Sequence, residues 1–70
     1  MTKQEALELM RDGVKITHEC FDGHEWMTHE GRFILTEEGY LHDPYEFWSY
    51  RTDPCWDKGY SKFVQEEVHG

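Results

Sequence analysis

The segment from Gly13 to Tyr40 constrains the fold more than any other part of the chain, because strand-forming and turn-forming residues alternate along it. Residues 14–19 alternate apolar and polar side chains, with the period of two that gives a strand one buried face. Residues 24–28 and 32–36 predict a second and a third strand. Three strands can support a small domain if another element covers their apolar face. The intervening turns are predicted at Asp22-Gly23, His29-Glu30-Gly31 and Glu37-Glu38-Gly39.

A helix is predicted before these strands, over residues 3–12. Thr2 and Glu5 have the spacing of a capping box, in which each side chain satisfies a free backbone donor of the other residue. Apolar residues then recur at helical spacing, and Gly13 is a natural stop at the C-terminal end. The apolar face of this helix is expected to lie on the sheet.

A second, short helix is predicted after the strands, over residues 44–51. Asp43 is a suitable N-cap, and Pro44 fits the first helical position because that position needs no backbone donor. The pair Asp53-Pro54 then forces the chain out of helical geometry.

A last strand is predicted at residues 60–64, followed by a polar tail. The order α-β-β-β-α-β predicts one α+β domain over residues 1–70, with an antiparallel sheet and both helices packed on one face. A chain of 70 residues buries only about 60% of the surface that its unfolded form exposes, so its stability is expected to be modest. The four Phe, three Trp and four Tyr predict an aromatic core, with a spare patch for a homo-oligomer contact.

The formal net charge is −8, from fifteen acidic and seven basic side chains. Binding to nucleic-acid phosphates or to an anionic membrane needs Lys and Arg in excess, so neither partner is expected. The charge fits a simply soluble protein, and it also fits electrostatic steering towards a basic partner.

Cys20 and Cys55 are far apart in sequence and do not form a C-x-x-C pair. The sequence shows no signal peptide and no apolar run near the roughly 20 residues that a membrane span needs, so a cytoplasmic protein of the host cell is expected. In that compartment thiols are reduced, and a disulfide is the minority case.

A zinc site is one candidate for chemistry, because imidazole and thiolate are the ligands that zinc prefers. The spacing H-x-C-x3-H-x4-H does not match a standard zinc finger or knuckle. The alternative is that these are strand and turn residues, with one buried histidine that makes hydrogen bonds. The candidate ligands are His18, Cys20, His24 and His29.

Catalysis is not predicted. A cysteine and a histidine could form a nucleophile–base pair, but nothing in the sequence positions a third group, and no phosphate-binding loop is present. A domain of this length is also expected to have little room for a ligand cavity within one chain. No enzyme activity and no cofactor are therefore expected.

An aromatic set in the C-terminal third is the strongest candidate for binding. Trp, Tyr and Arg are the residues enriched at interaction hot spots, and acidic residues surround this set. An exposed aromatic patch with an acidic rim suits a basic protein surface, whereas the alternative is that the rings only fill a small core. The predicted protein-binding residues are Tyr45, Trp48, Arg51, Trp56, Asp43, Asp53 and Asp57.

Several motifs resemble those of small accessory proteins of tailed phages, whose function is unknown. They are ALELMRDGVKITHECF, DGHEWM, EEGY, EFWSYR and WDKGY, which together cover most of the chain. The opening helix–Gly–strand segment, residues 6–21, also resembles the phage family of Thoeris anti-defence sponges. Those proteins sequester a nucleotide-derived immune signal as oligomers.

The residues and the resemblance together predict a non-enzymatic phage-type accessory protein that binds and inhibits a host or anti-phage-defence protein with a basic surface. One alternative is an oligomeric sponge for a nucleotide-derived immune signal, with its pocket between subunits. A second alternative is a zinc-stabilised structural module.

Overall fold

The computed structural model describes residues 1–64, which form a five-stranded antiparallel sheet, two α-helices and one 3₁₀ helix. The sheet order is β4-β3-β2-β1-β5. The predicted α+β class with an antiparallel sheet is confirmed. The helices are Lys3–Arg11 (α1), Pro44–Ser49 (α2) and the 3₁₀ helix Pro54–Asp57, and the strands are Ile16–His18 (β1), Met27–Glu30 (β2), Phe33–Thr36 (β3), Leu41–His42 (β4) and Tyr60–Lys62 (β5).

The sheet contains one strand more than the sequence predicted. The sequence predicted no strand at Leu41 and His42, but these two residues pair with Leu35 and Ile34 and form β4. A strand of two residues is too short to show a period of two, which explains why the pattern did not indicate it. The element order is therefore α-β-β-β-β-α-β, with the 3₁₀ helix before the last strand.

The second strand also lies later in the chain than predicted. His29 and Glu30, which were expected in a turn, belong to β2 and pair with Ile34 and Phe33. The hairpin turn is the two-residue Gly31-Arg32, and Gly31 has the positive φ of 59° that a tight hairpin requires at this position. Two-residue hairpin turns are compact enough to leave the flanking residues paired.

The remaining boundaries differ by at most two residues, and each of these elements is shorter than predicted. The Asp22-Gly23 turn is present, since the Glu25 N–H donates to the Asp22 carbonyl oxygen at 3.0 Å, but Gly23 does not adopt the positive φ expected of it. The predicted polar tail, residues 65–70, lies outside the described residues. Predicted strands 14–19, 32–36 and 60–64 are observed as Ile16–His18, Phe33–Thr36 and Tyr60–Lys62, and predicted helices 3–12 and 44–51 as Lys3–Arg11 and Pro44–Ser49.

The two ends of α1 have the caps that the sequence indicates. The Glu5 N–H donates to the Thr2 hydroxyl, and the Thr2 N–H donates to the Glu5 carboxylate, which completes the capping box. At the other end Gly13 has a φ of 87°, and the Val14 N–H donates back to the Leu9 carbonyl, as in a Schellman motif. In the described part of the chain no helix is long and apolar enough to cross a membrane.

The core lies between one face of the sheet and both helices. Ile16 pairs with Met27, and the pairing register places Ile34 and Tyr60 on the same face as these two residues. The buried side chains of the helices complete this single cluster, so both helices cover the same face, as predicted. They are Ala6 and Met10 of α1 and Phe47 of α2.

Replacing Met27 by Ala is expected to lower the free energy of unfolding by about 2–5 kcal/mol, because its side chain is fully buried and truncation leaves a cavity. Leu41→Ala is the matched control, since Leu41 is 52% exposed and its truncation is expected to change the stability by at most about 0.5–1 kcal/mol. Urea titration followed by circular dichroism measures both values. Equal losses in the two variants would contradict the assigned core.

Candidate functional site: an acidic aromatic cavity

A cavity of about 390 Å³ lies beside α2, at the end of the sheet where β3 stops and β4 begins. This volume falls within the range of roughly 300–1,000 Å³ that is usual for ligand sites, which differs from the sequence-based expectation of little room. Three separate segments form its walls: the β1–β2 connection, the β3–β4 turn and α2 with the residues that follow it. The lining residues are Phe21, Glu25, Trp26, Thr36, Glu37, Glu38, His42, Glu46, Phe47, Tyr50 and Arg51.

The lining of the cavity carries an excess of negative charge. It contains four glutamates, and Arg51 is its one Lys or Arg among the described residues, which leaves a formal excess of three carboxylates. Unit charges near a protein surface attract or repel by several kcal/mol at about 4 Å when solvent is partly excluded. This lining therefore favours a cationic group and disfavours an anionic one.

The aromatic walls add to this preference, because the face of an aromatic ring attracts a cation. The guanidinium carbon of Arg51 lies 3.8 Å from the centre of the Phe47 ring. The ammonium group of Lys15 lies 4.4 Å from the centre of the Trp26 ring. Two rings of the lining thus already hold cationic side chains of the chain itself.

Arg51 is fixed in the wall by hydrogen bonding as well as by stacking. Its Nη1 donates to the Phe47 carbonyl oxygen at 2.8 Å, one helical turn earlier. Its Nε is buried and has no hydrogen-bond partner within the described part of the chain. Burial lowers the pKa of the guanidinium, and the nearby Glu25 carboxylate opposes that change. The guanidinium therefore remains a fixed positive charge at one side of an acidic cavity.

Local backbone structure positions the glutamates. The Asp43 carboxylate accepts a hydrogen bond from the Glu46 N–H at 3.1 Å and so starts α2 with Glu46 in its first turn. Glu46 and Tyr50 are four residues apart, which places them on one side of the helix. In the β3–β4 turn, Gly39 has a φ of 84° and its N–H donates to the Thr36 carbonyl oxygen at 2.9 Å. This turn holds the two glutamates that precede Gly39 against the cavity.

Of the seven predicted binding residues, Arg51 lines the cavity. Trp48 and Trp56 are half-buried and pack against the core, so neither ring is a free anchor. The Trp48 ring meets the Phe47 ring edge-on, and the Lys3 ammonium group lies 4.2 Å from the centre of the Trp48 ring. The burial of these rings could not be read from the sequence, because their neighbours are distant in the chain. Trp48 lies against Lys3 of α1, and Trp56 stacks on His18 of β1.

The other predicted residues have separate positions. Tyr45 is 86% exposed, on the outside of α2. Asp43 caps α2. Asp53 directly precedes the 3₁₀ helix, Asp57 is its last residue, and both are exposed. Sequence reasoning missed most of the cavity lining because its residues come from three segments. The sequence signal that could have indicated the cavity is the pair Glu46 and Tyr50, spaced i, i+4, shortly after the acidic turn residues Glu37 and Glu38.

His18 is buried at 3% exposure and uses both ring nitrogens. The Cys20 N–H donates to Nδ1 at 3.0 Å, so Nδ1 carries no proton. The proton therefore lies on Nε2, which donates to the carbonyl oxygens of Cys55 at 2.8 Å and Lys58 at 2.7 Å. Neither nitrogen has a lone pair left for a metal ion.

The structure does not bring the four predicted zinc ligands together. Cys20 and His24 are exposed on the connection after β1, whereas His29 lies on β2. Burial lowers the pKa of His29. Among residues 1–64 no group of three or more His, Cys, Asp or Glu side chains is arranged to hold a metal ion. His18 instead matches the alternative, a buried histidine that makes hydrogen bonds.

An aromatic cluster surrounds the His18 ring. Trp56 stacks on it with ring centres 4.2 Å apart, and Tyr60 meets it edge-on at 4.5 Å. The Tyr60 hydroxyl donates to the Trp56 carbonyl oxygen. Burial raises the pKa of Tyr60 to about 12, and the negative charge of Asp57 adds to this effect.

No protein-family model, curated protein or solved structure matches this chain. The resemblance to phage accessory proteins and to anti-defence sponges therefore stays a prediction.

Replacing His18 by Ala is expected to lower the free energy of unfolding by about 2–4 kcal/mol, because it leaves a backbone N–H and two carbonyls without their buried partner. His24→Ala is the control, since His24 is exposed and its loss is expected to cost at most about 0.5 kcal/mol. Chemical denaturation measures both. A His18→Ala variant as stable as the control would show that the imidazole does not hold these segments.

The stability of the protein is expected to fall as the pH rises from about 10 towards 12. An unfolded tyrosine ionises near pH 10, so above that value the unfolded chain loses the Tyr60 proton before the folded chain does, and unfolding becomes more favourable. Denaturation at several alkaline pH values measures this slope. Tyr60→Phe removes the ionisable group and should flatten the slope, whereas Tyr45→Phe, at an exposed position, should not.

Proposed function

We propose that this chain is a non-enzymatic binding protein that captures a basic partner protein by enclosing a Lys or Arg side chain in the acidic aromatic cavity. The observation that carries the proposal is the combination of four carboxylates and several aromatic rings around one open space of about 390 Å³. A cation gains from both: carboxylates offer charge-assisted hydrogen bonds, and Tyr50 offers a ring face besides those of Phe47 and Trp26, which Arg51 and Lys15 already occupy.

Exposed apolar side chains next to the cavity extend this surface. Tyr50, the C-cap of α2, lines the cavity and is 84% exposed, and Tyr45, beside Glu46 in α2, is 86% exposed. Tyrosine is enriched in protein interfaces, because it offers a large rigid contact area and a hydroxyl group at low entropic cost. A basic side chain in the cavity would be flanked by apolar contacts, which exclude water around it.

The identity of the partner rests on the resemblance to tailed-phage accessory proteins. On that basis the partner is a host or anti-phage-defence protein in the host cytoplasm, and binding inhibits it. The net charge of −8 fits a partner with a basic surface, such as a protein that handles nucleic acid. Long-range attraction would speed the encounter, and the cavity would then select a protruding cationic side chain.

The charge of the cavity opposes the sponge alternative within a single chain. A nucleotide-derived signal is anionic, and the lining presents four carboxylates against one guanidinium. A sponge function would therefore need a different pocket, formed between subunits.

The proposal predicts that a short Lys- and Arg-rich peptide binds at the cavity and that binding weakens as salt concentration rises. The double variant Glu38→Gln, Glu46→Gln removes two exposed carboxylates of the lining. This double variant should bind the peptide about three- to tenfold more weakly, since exposed charge pairs contribute roughly 0.2–1 kcal/mol each. Nuclear magnetic resonance titration measures the affinity and should show the largest shifts at the Trp26 and Tyr50 signals.

The matched control is Glu8→Gln, Glu30→Gln, which makes the same change in net charge at exposed positions outside the lining. This control should keep nearly the affinity of the unmodified protein. Equal weakening in both double variants, or shifts spread evenly over the surface, would show non-specific charge attraction and contradict the cavity. The same pair of variants, used as baits in a host lysate, tests whether a natural partner depends on the cavity.

A further inference from the structure

Cys20 and Cys55 are brought next to each other although 34 residues separate them in the sequence. Cys20 lies two residues after the end of β1, and Cys55 is the second residue of the 3₁₀ helix. Both thiols are free. Their proximity was not apparent in the sequence, because nothing there relates the connection after β1 to the segment before β5.

One imidazole holds the backbones of both cysteines. Nδ1 of His18 accepts from the Cys20 N–H at 3.0 Å, and Nε2 of the same ring donates to the Cys55 carbonyl oxygen at 2.8 Å. The two residues are therefore bonded to opposite sides of one small, buried ring. The shared ring therefore places the two backbones near each other, and a disulfide requires their Cα atoms to be closer than about 7 Å.

Further contacts fix the same two segments without help from the sulfur atoms. The Glu19 N–H donates to the Gly59 carbonyl oxygen at 3.1 Å. Gly59 has a φ of 92°, a left-handed conformation that glycine adopts without strain, and the Glu19 side chain lies over its Cα atom. The segments are thus held together in the reduced protein.

The two side chains themselves interact. Partial burial raises the pKa of the Cys55 thiol, and the neighbouring Cys20 thiol adds to that effect. Cys20 is exposed to solvent, whereas Cys55 is half-buried. A reagent in solution therefore reaches Cys20 first, with Cys55 as its immediate neighbour.

We propose that Cys20 and Cys55 form a modification site that becomes an intramolecular disulfide by exchange with a small-molecule disulfide. The Cys20 sulfur, as thiolate, attacks one sulfur of the reagent, whose S–S bond breaks and releases one thiol. The Cys55 sulfur, after losing its proton, then attacks the Cys20 sulfur of this mixed disulfide and releases the second thiol. Two electrons and two protons pass to the reagent, which is reduced to two thiols.

The bond would close a loop that contains β2, β3, β4 and α2. A cross-link of this kind stabilises the fold mainly by restricting the unfolded chain. The loop includes all three segments that line the cavity, but the proposal does not depend on the cavity or on its proposed function. It depends only on the proximity of the two thiols.

The test is incubation of the whole protein with oxidised glutathione, followed by alkylation, intact mass spectrometry and non-reducing peptide mapping. The expected product is a monomer that has lost two hydrogens, with one peptide pair joined through Cys20 and Cys55. Its melting temperature should rise by on the order of 10 °C and return to the starting value after reduction.

The variants Cys20→Ser and Cys55→Ser make the smallest change that prevents the bond. Each variant should retain the fold of the reduced protein and show no rise in melting temperature with oxidised glutathione. The remaining cysteine should either carry one glutathione or stay a free thiol. The proposal is overturned if the unmodified protein keeps both thiols, carries two glutathione adducts, or forms only disulfides between chains.

Discussion

The buried imidazole of His18 is the interaction on which the C-terminal third of the structure depends. It sits at the end of β1 and joins three backbone groups, one from the connection after β1 and two from the segment around the 3₁₀ helix. This segment has weak local support, since Asp53 makes no side-chain cap for the 3₁₀ helix. A buried polar ring is costly unless its hydrogen bonds are made, so the ring and the backbone groups require each other. The result is a fixed geometry in a segment that has little local support of its own.

This fixed segment determines where β5 and its neighbours lie. Tyr60, the first residue of β5, pairs with His18 and is 3% exposed, so the strand enters the sheet beside β1. The amino group of Met1 donates to the Tyr60 carbonyl oxygen at 3.1 Å, which ties the start of the chain to the same edge. Trp48 then packs against the Tyr60 ring with ring centres 6.4 Å apart. Packing around β5 thus uses the two tryptophans that the sequence suggested as binding anchors.

Local signals predicted the fold well because they act within a few residues. The capping box, the glycine after α1 and the period of two in β1 each depend on neighbours in sequence, and the structure contains all three. β4 could not be predicted, since a pair of residues has no period and forms a strand only because β3 lies beside it. His29 and Glu30 were misplaced for a related reason: a polar sequence next to glycine resembles a turn until the tightness of Gly31-Arg32 is known.

The candidate site was harder to predict than the fold, because its properties arise from tertiary packing. Glu37 and Glu38 follow a strand as ordinary solvated turn residues, and only the position of α2 brings them near Glu46 and Glu25. The same packing decided which aromatic rings were available. Rings near the 3₁₀ helix and α1 are half-buried, whereas Tyr45 on α2 and Tyr50 at its C-cap are exposed. Charge and aromatic content therefore predicted an acidic, aromatic surface but not most of the residues that form it.

The cavity has a physical cost that its position in the fold helps to explain. Four carboxylates around one space repel one another, and a small domain has little stability to oppose that repulsion. Arg51 reduces the repulsion from one side, held on the Phe47 ring and bonded to the Phe47 carbonyl oxygen. Two of the four glutamates, Glu38 and Glu46, are exposed, so solvent screens part of the remaining excess of charge. A cationic side chain that entered this space would relieve the remaining repulsion, so binding and local stabilisation would arise from the same contacts.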